Sequence, residues 1–227
     1  MKKKKIALAL AAVMLFTGLM TACANSSAPE SEQPSENAET PVSGPKEITI
    51  AAGRSFYQGP ATNIFLHGRT NVWQALVMLD NNMEPEMKLA ESITQSEDGL
   101  TWTIKLRDNV IFHDGTKLTS DAAIANLERL YHWNSGSKAY DPAYEKTGEY
   151  GKIVNMAALD EFSFTVTHEN PIPDFDSRLA YENSAMFSPA SFDDSKAITV
   201  PYGTGPYKYD SYDETAEKLS LVKFDEY

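Results

Sequence analysis

The 227-residue sequence holds a single cysteine, Cys23, which excludes an intrachain disulfide framework and any metal or iron–sulfur site built on several thiolates. It has no surplus of cations: 20 Lys and Arg stand against 32 Asp and Glu, a formal net charge of −12. That sign is wrong for a chain that neutralises phosphates, so no nucleic-acid partner is expected. Beyond the first 25 residues no apolar run is long enough to span a bilayer. The Gly-x-Ser-x-Gly elbow, the phosphate-binding loop and the dinucleotide glycine fingerprint are all missing. His67, His113, His132 and His168 form no i,i+4 pair and no histidine–carboxylate spacing of the metal-ligating kind. No catalytic residue, metal site or cofactor is therefore expected. With 32 carboxylates some acid pairs arise by accident, so they argue nothing for a glycosidase.

What remains is a body able to bury a core, at 42% apolar and 11% aromatic residues. It is preceded by an unusual N-terminus. Lys2 to Lys5 form a basic patch, and Ile6 to Met20 is apolar except for Thr17, a run too short for a comfortable spanning helix. Basic patch, short apolar run and small residues are the parts of a secretory signal; an uncleaved membrane anchor is the alternative. Met20-Thr-Ala-Cys23 resembles the bacterial lipobox, with Met20 in place of the usual Leu, Val or Ile. The resemblance implies cleavage after residue 22, acylation of Cys23 and a lipid bilayer as partner, two or more acyl chains giving stable anchoring. Residues 24–46 are Ser, Pro, Glu, Asn and Ala with little to bury, which predicts a disordered tether. The expected organisation is thus a signal peptide over 1–22, a lipidated cysteine and tether over 23–46, and a folded body over 47–227.

Within the body, Ile48 and Ile50 alternate with Thr49 in a strand that ends at Gly53. Val72, Ala75, Leu76 and Leu79 share a helical face, predicting a helix over 71–79. Leu100, Trp102, Ile104 and Leu106 alternate strictly with Thr101, Thr103, Lys105 and Arg107, the clearest strand of the chain. Val110 to His113 predicts a second strand ending in the Asp114-Gly115 turn. Thr119 or Ser120 caps a helix that buries Ile124, Leu127 and Leu130. Phe162, Phe164 and Val166 mark a further strand, and Tyr207, Tyr209, Leu219 and Leu221 a closing hairpin. Asp210 and Asp213 are expected in a solvated turn. Interspersed strands and helices give a mixed α/β fold class.

Several ordered segments carry a family resemblance. Trp102 to Thr116, with its His113-Asp-Gly115, followed by Leu118-Thr-Ser-Asp-Ala122, resembles a signature of extracytoplasmic solute-binding proteins of the peptide/nickel family, which serve ATP-driven importers. Leu89-Ala-Glu-Ser92, Ser96 to Leu100, Phe187-Ser-Pro-Ala190 and Gly203-Thr-Gly-Pro-Tyr207 are similar to further segments of that family in the same order. The resemblance implies two α/β lobes closing on a solute by hinge motion, with an ABC permease as partner. It implies no covalent chemistry and a location outside the cytoplasmic membrane. Family members are longer, so the chain is expected to represent the first lobe, the second being missing.

By the same resemblance the loop after the first strand faces the cleft. That nominates Arg54, Phe56, Tyr57, His67 and Arg69 as solute contacts, an arginine there being suited to pair a carboxylate bidentately. Each of these is equally well read as a surface or packing residue. Trp133 lines the cleft or merely covers it. Glu182 stands near a position where relatives that bind carboxylated ligands carry an arginine, and a carboxylate there favours a cationic or amine-bearing solute over an anionic chelate. Peptides and nickel or other metal chelates are the expected solutes. The alternatives are a truncated surface lipoprotein that no longer binds solute and, more distantly, an enzyme.

Overall fold

The computed structural model describes Thr49 and residues 70–180 and 184–227. The chain divides into two units, Met1–Thr49 and Ile50–Tyr227, and every element named here belongs to the second. Among the described residues ten strands follow in chain order: β1 (Val77–Leu79), β2 (Pro85–Met87), β3 (Ala90–Gln95), β4 (Thr101–Leu106), β5 (Trp133–Asn134), β6 (Ala139–Tyr140), β7 (Ile153–Asp160), β8 (Ser163–His168), β9 (Tyr207–Asp213) and β10 (Lys218–Lys223). Among the described residues three α-helices intervene: α1 (Ser120–Tyr131), α2 (Thr147–Tyr150) and α3 (Phe175–Arg178). The mixed α/β class expected from the sequence is what is observed.

The centre is an antiparallel sheet in the order β3-β4-β8-β7. The period of two in β4 and β8 becomes two faces. Trp102 sits opposite Val166 and Ile104 opposite Phe164 on the buried side. Thr101 and Thr103 face Thr167 and Thr165 on the other side, the first pair with hydroxyls 3.3 Å apart. The β3–β4 turn is closed by Asp98, whose carboxylate accepts the Leu100 amide at 3.0 Å and the Ser96 hydroxyl at 2.6 Å. Gly99 supplies the left-handed conformation the turn needs, at φ 74°.

Helix α1 covers the apolar face. Thr119 is extended and accepts the Ala122 amide at 3.3 Å, and Asp121 and Arg129 stand at the ends that suit the helix dipole. Ala122, Ala123, Leu127 and Tyr131 join Trp102, Ile104, Leu106, Phe164 and Val166 in one core cluster, with Ile124 packed against it. Burying a side chain such as Phe164 contributes about 2–3 kcal/mol. Leu130 turns to a second, smaller cluster with Trp73, Ala75, Ala185, Phe187 and Ile198.

Three expectations are corrected. Residues 71–79 do not form a helix. Ala75 bridges Ala185 and Val77–Leu79 is β1. The carbonyl of Leu76 accepts the amides of Lys88 and Ala90, and that of Ala75 accepts Leu89, so long-range partners take the groups a helix would use. Val72, Trp73, Ala75, Leu76 and Val77 are all buried, which is an extended segment covered on both sides; the helical spacing is coincidental. Val110–His113 is no strand but a tight loop with a single bridge, Ile111 to Lys117. Asp210 lies within β9 at a register irregularity, and only Asp213 serves a turn, accepting the amides of Thr215 and Ala216. The β9–β10 hairpin itself is as expected. The predicted strand over 47–53 falls outside the described residues, save for Thr49.

Candidate functional site

Three of the motif segments, around His113-Asp-Gly115, Phe187-Ser-Pro-Ala190 and Gly203–Tyr207, meet at one place. The peptide at 71–72 lies against the Gly203–Tyr207 segment: Gly205 N–H donates to the Val72 carbonyl at 3.0 Å and Tyr207 N–H to the Asn71 carbonyl at 3.4 Å. A Cβ on Gly203 would lie 2.1 Å from the Val72 oxygen, and one on Gly205 2.0 Å from the Asn71 oxygen. Both glycines are there because backbone touches backbone.

His113 joins this contact from the Asp114-Gly115 loop. Its amide donates to the Gly203 carbonyl at 2.9 Å, and its Nε2–H to the Gly205 carbonyl at 2.9 Å. The ring meets Phe224 edge-on at 4.9 Å. Nδ1 is buried with no hydrogen-bond partner among the described residues. Burial pushes the imidazole below its ordinary 6.5, against the opposing pull of the Gly205 and Pro201 carbonyls. Asp114 binds the next segment: its carboxylate accepts the Ser188 hydroxyl at 2.5 Å and the Thr116 hydroxyl and amide at 2.6 and 3.0 Å. Burial raises its pKa, but these hydrogen bonds prevail and hold it below the usual carboxylate value. A carboxylate so held is a weak base, and Ser188 is itself buried and also accepts the Ala190 amide. The pair fastens one loop to another; it is not an activated nucleophile.

Two buried polar residues of α1 complete the arrangement. Asn126 clamps Phe187 from both sides, donating to its carbonyl at 2.7 Å and accepting its amide at 3.0 Å. Arg129, 3% exposed, lies with its guanidinium 4.8 Å from the Trp133 ring and 5.2 Å from the Phe192 ring, and donates from Nε to the Lys196 carbonyl at 2.6 Å. Burial lowers its pKa to about 10, with Asp193 opposing the shift. Gln74 links the other end, accepting from Thr204 and donating to the Tyr227 hydroxyl, each at 3.4 Å. Asn126, Arg129 and Gln74 were not singled out from the sequence. The one signal for the helix pair was polar residues interleaved with Leu127 and Leu130 on the face that points inward.

Of the residues nominated for solute contact, only Trp133 is described. It is 7% exposed and packed beneath Arg129. Arg54, Phe56, Tyr57, His67, Arg69 and Glu182, together with Cys23, lie outside the described residues. His168 is a buried strut, donating from Nε2 to the Tyr150 carbonyl at 3.1 Å against the edge of Phe175. Among the described residues no group of three or more His, Cys, Asp or Glu could hold a metal ion, and no helix is long and apolar enough to cross a membrane. What the geometry provides is a junction tying six chain segments together.

Residues 84–227 match the middle region of the bacterial extracellular solute-binding proteins, family 5. The glutathione-binding protein GsiB of Escherichia coli K12 is 33% identical over 221 residues, which cover 95% of this chain and 38% of that protein. The crystal structure of a nickel ABC transporter protein from Bacillus halodurans superimposes with a TM-score of 0.60 at 31% identity, over 72% of this chain and 31% of that one. NikA from Staphylococcus aureus, solved in complex with Ni(L-His)2, gives 0.58 at 25% identity, over 75% and 33%. The chain therefore spans well under half the length of the relatives it matches.

Proposed function

Because the chain belongs to the bacterial extracellular solute-binding proteins of family 5, we propose that it acts as the solute-capturing component of an ABC importer. In this reading it takes up small peptides or metal chelates outside the cytoplasmic membrane and presents them to a permease. The observation that carries the reading is the match over residues 84–227, seconded by a glutathione-binding relative and nickel-related neighbours. The work is selective binding and closure, without chemistry on the solute.

The junction built on Asn71–Gln74, His113, Asp114, Ser188 and Gly203–Gly205 is the scaffold from which the preceding loop would reach solute. In that loop Arg54 and Arg69 are the carboxylate-pairing residues, with Phe56, Tyr57 and His67 as further contacts; Glu182, from the stretch before Phe187, favours a cationic or amine-bearing solute. Trp133, packed beneath Arg129, lines the cleft or covers it. The domain plan is a signal peptide over 1–22, a tether beginning at lipidated Cys23 and running to 46, and the binding body over 47–227. Cys23 would fix the protein to the outer face of the membrane.

Thermal melting of the purified chain with glutathione, a dipeptide or a nickel–histidine chelate tests the binding. Ligand at a hundred times its Kd adds about 2.7 kcal/mol to stability, so a rise in Tm with one of them is expected. No shift with any of the three would leave the alternative, a surface lipoprotein that does not bind solute. Mass spectrometry of the membrane-extracted protein tests the anchor. A diacylglyceryl adduct on Cys23 is expected, and a bare thiol there would remove this part of the reading.

A further inference from the structure

The β1–β2 connection places a methionine where it contributes nothing to the core. Met83 is 71% exposed, against 0% for Met186, and Met78, Met87 and Met156 are part-buried and packed against the two core clusters. The loop is shaped without the Met83 side chain. The Asp80 carboxylate accepts the Asn82 amide at 2.7 Å and the Glu84 amide at 2.9 Å, and the Met83 amide donates to the Asp80 carbonyl at 3.1 Å. Met83 itself is held in the left-handed region at φ 67°, with its thioether turned out to solvent. Sulfur oxidation by peroxides follows access to the sulfur, and it harms a protein when the polar product falls in a core.

We infer that Met83 is a site of selective and structurally silent oxidation by hydrogen peroxide. A sulfur lone pair attacks one peroxide oxygen and the O–O bond breaks. The sulfur loses two electrons to become the sulfoxide, and the departing hydroxide takes the remaining proton to leave as water. The sulfoxide stays in solvent, so the sheet and α1 are untouched, whereas the same product at Met186 or Met87 would place a polar group against the apolar core. The site spends peroxide where the product does not disturb packing, and a methionine sulfoxide reductase could reach it for reversal.

The test is a hydrogen peroxide titration of the whole chain, read by peptide mapping, with the melting curve followed in parallel. Met83 is expected to convert about tenfold or more faster than Met78, Met87, Met156 and Met186, with Tm unchanged while only Met83 is oxidised. Met83→Leu should abolish this first event among the five without slowing the other four. Equal rates across the five would overturn the inference, as would a fall in Tm that tracks Met83 oxidation. The Leu variant keeps the outcome readable, because a fast event that survives it must lie at another methionine.

Discussion

The sheet β3-β4-β8-β7 under α1 and the segment 184–206 are both well packed, yet they are held in different ways. The sheet is fixed by backbone ladders and by alternating side chains that any apolar residue of similar size could imitate. Residues 184–206 contain a short 3-10 turn at Pro189–Ser191 and two isolated bridges, Ala185 to Ala75 and Phe192 to Ile198, but no strand of a ladder. Alongside a few backbone contacts, side chains of other elements hold them: Asn126 on Phe187, Asp114 on Ser188, Arg129 on Lys196, and the His113 ring on Gly205. Losses in the first region should therefore scale with volume, and losses in the second with unsatisfied polar groups.

The largest effect is expected from Phe164→Ala, which removes a fully buried ring between β4 and β7. It should cost about 3–5 kcal/mol in urea unfolding, and Phe164→Leu should recover more than half of that. Asn126→Ala strands the Phe187 amide and carbonyl and should cost about 2–3 kcal/mol. Asn126→Leu, which has similar volume, should be no better, and a Leu variant as stable as the wild type would mean that the clamp is mere filling. Thr119→Ala removes the α1 cap and should cost about 1 kcal/mol, with Thr119→Ser nearly neutral.

A smaller effect lies in pH. His113 and His168 both have pKa values lowered by burial, so the unfolded chain binds protons more readily near their ordinary 6.5. Their contribution is present above about 6.5 and is lost as pH falls from there through the folded values. The urea midpoint should decline over that window, and His113→Gln should flatten the decline. A slope unchanged by His113→Gln would place the titration elsewhere. Asp114 acts further down: its folded pKa is depressed below 3.8, so its share persists above that value and is lost only in stronger acid.

The same contrast explains what was legible in the sequence. β4 and β8 could be read because one face meets solvent, so burial writes itself as a period of two. The α1 start could be read because Thr119 caps by local chemistry. Residues 71–77 misled because they are covered on both sides, and apolar positions then carry no period. Asn126 and Arg129 were passed over because polar residues in a helix usually face water, and nothing local marks the loop they hold from more than sixty residues away. The reading from pattern went furthest where partners are near in sequence. For the junction, the family-like segments showed which stretches matter but not that they touch.

The three tryptophans report on this division without any added label. Trp102 sits in the sheet core, Trp73 in the smaller cluster, and Trp133 under a guanidinium that follows the loop at 192–198. All three are buried, so native emission should be blue-shifted and poorly accessible to acrylamide. Single-tryptophan variants would then watch each neighbourhood open in turn, and the Trp133 signal would tell whether the pegged loop lets go before the sheet does.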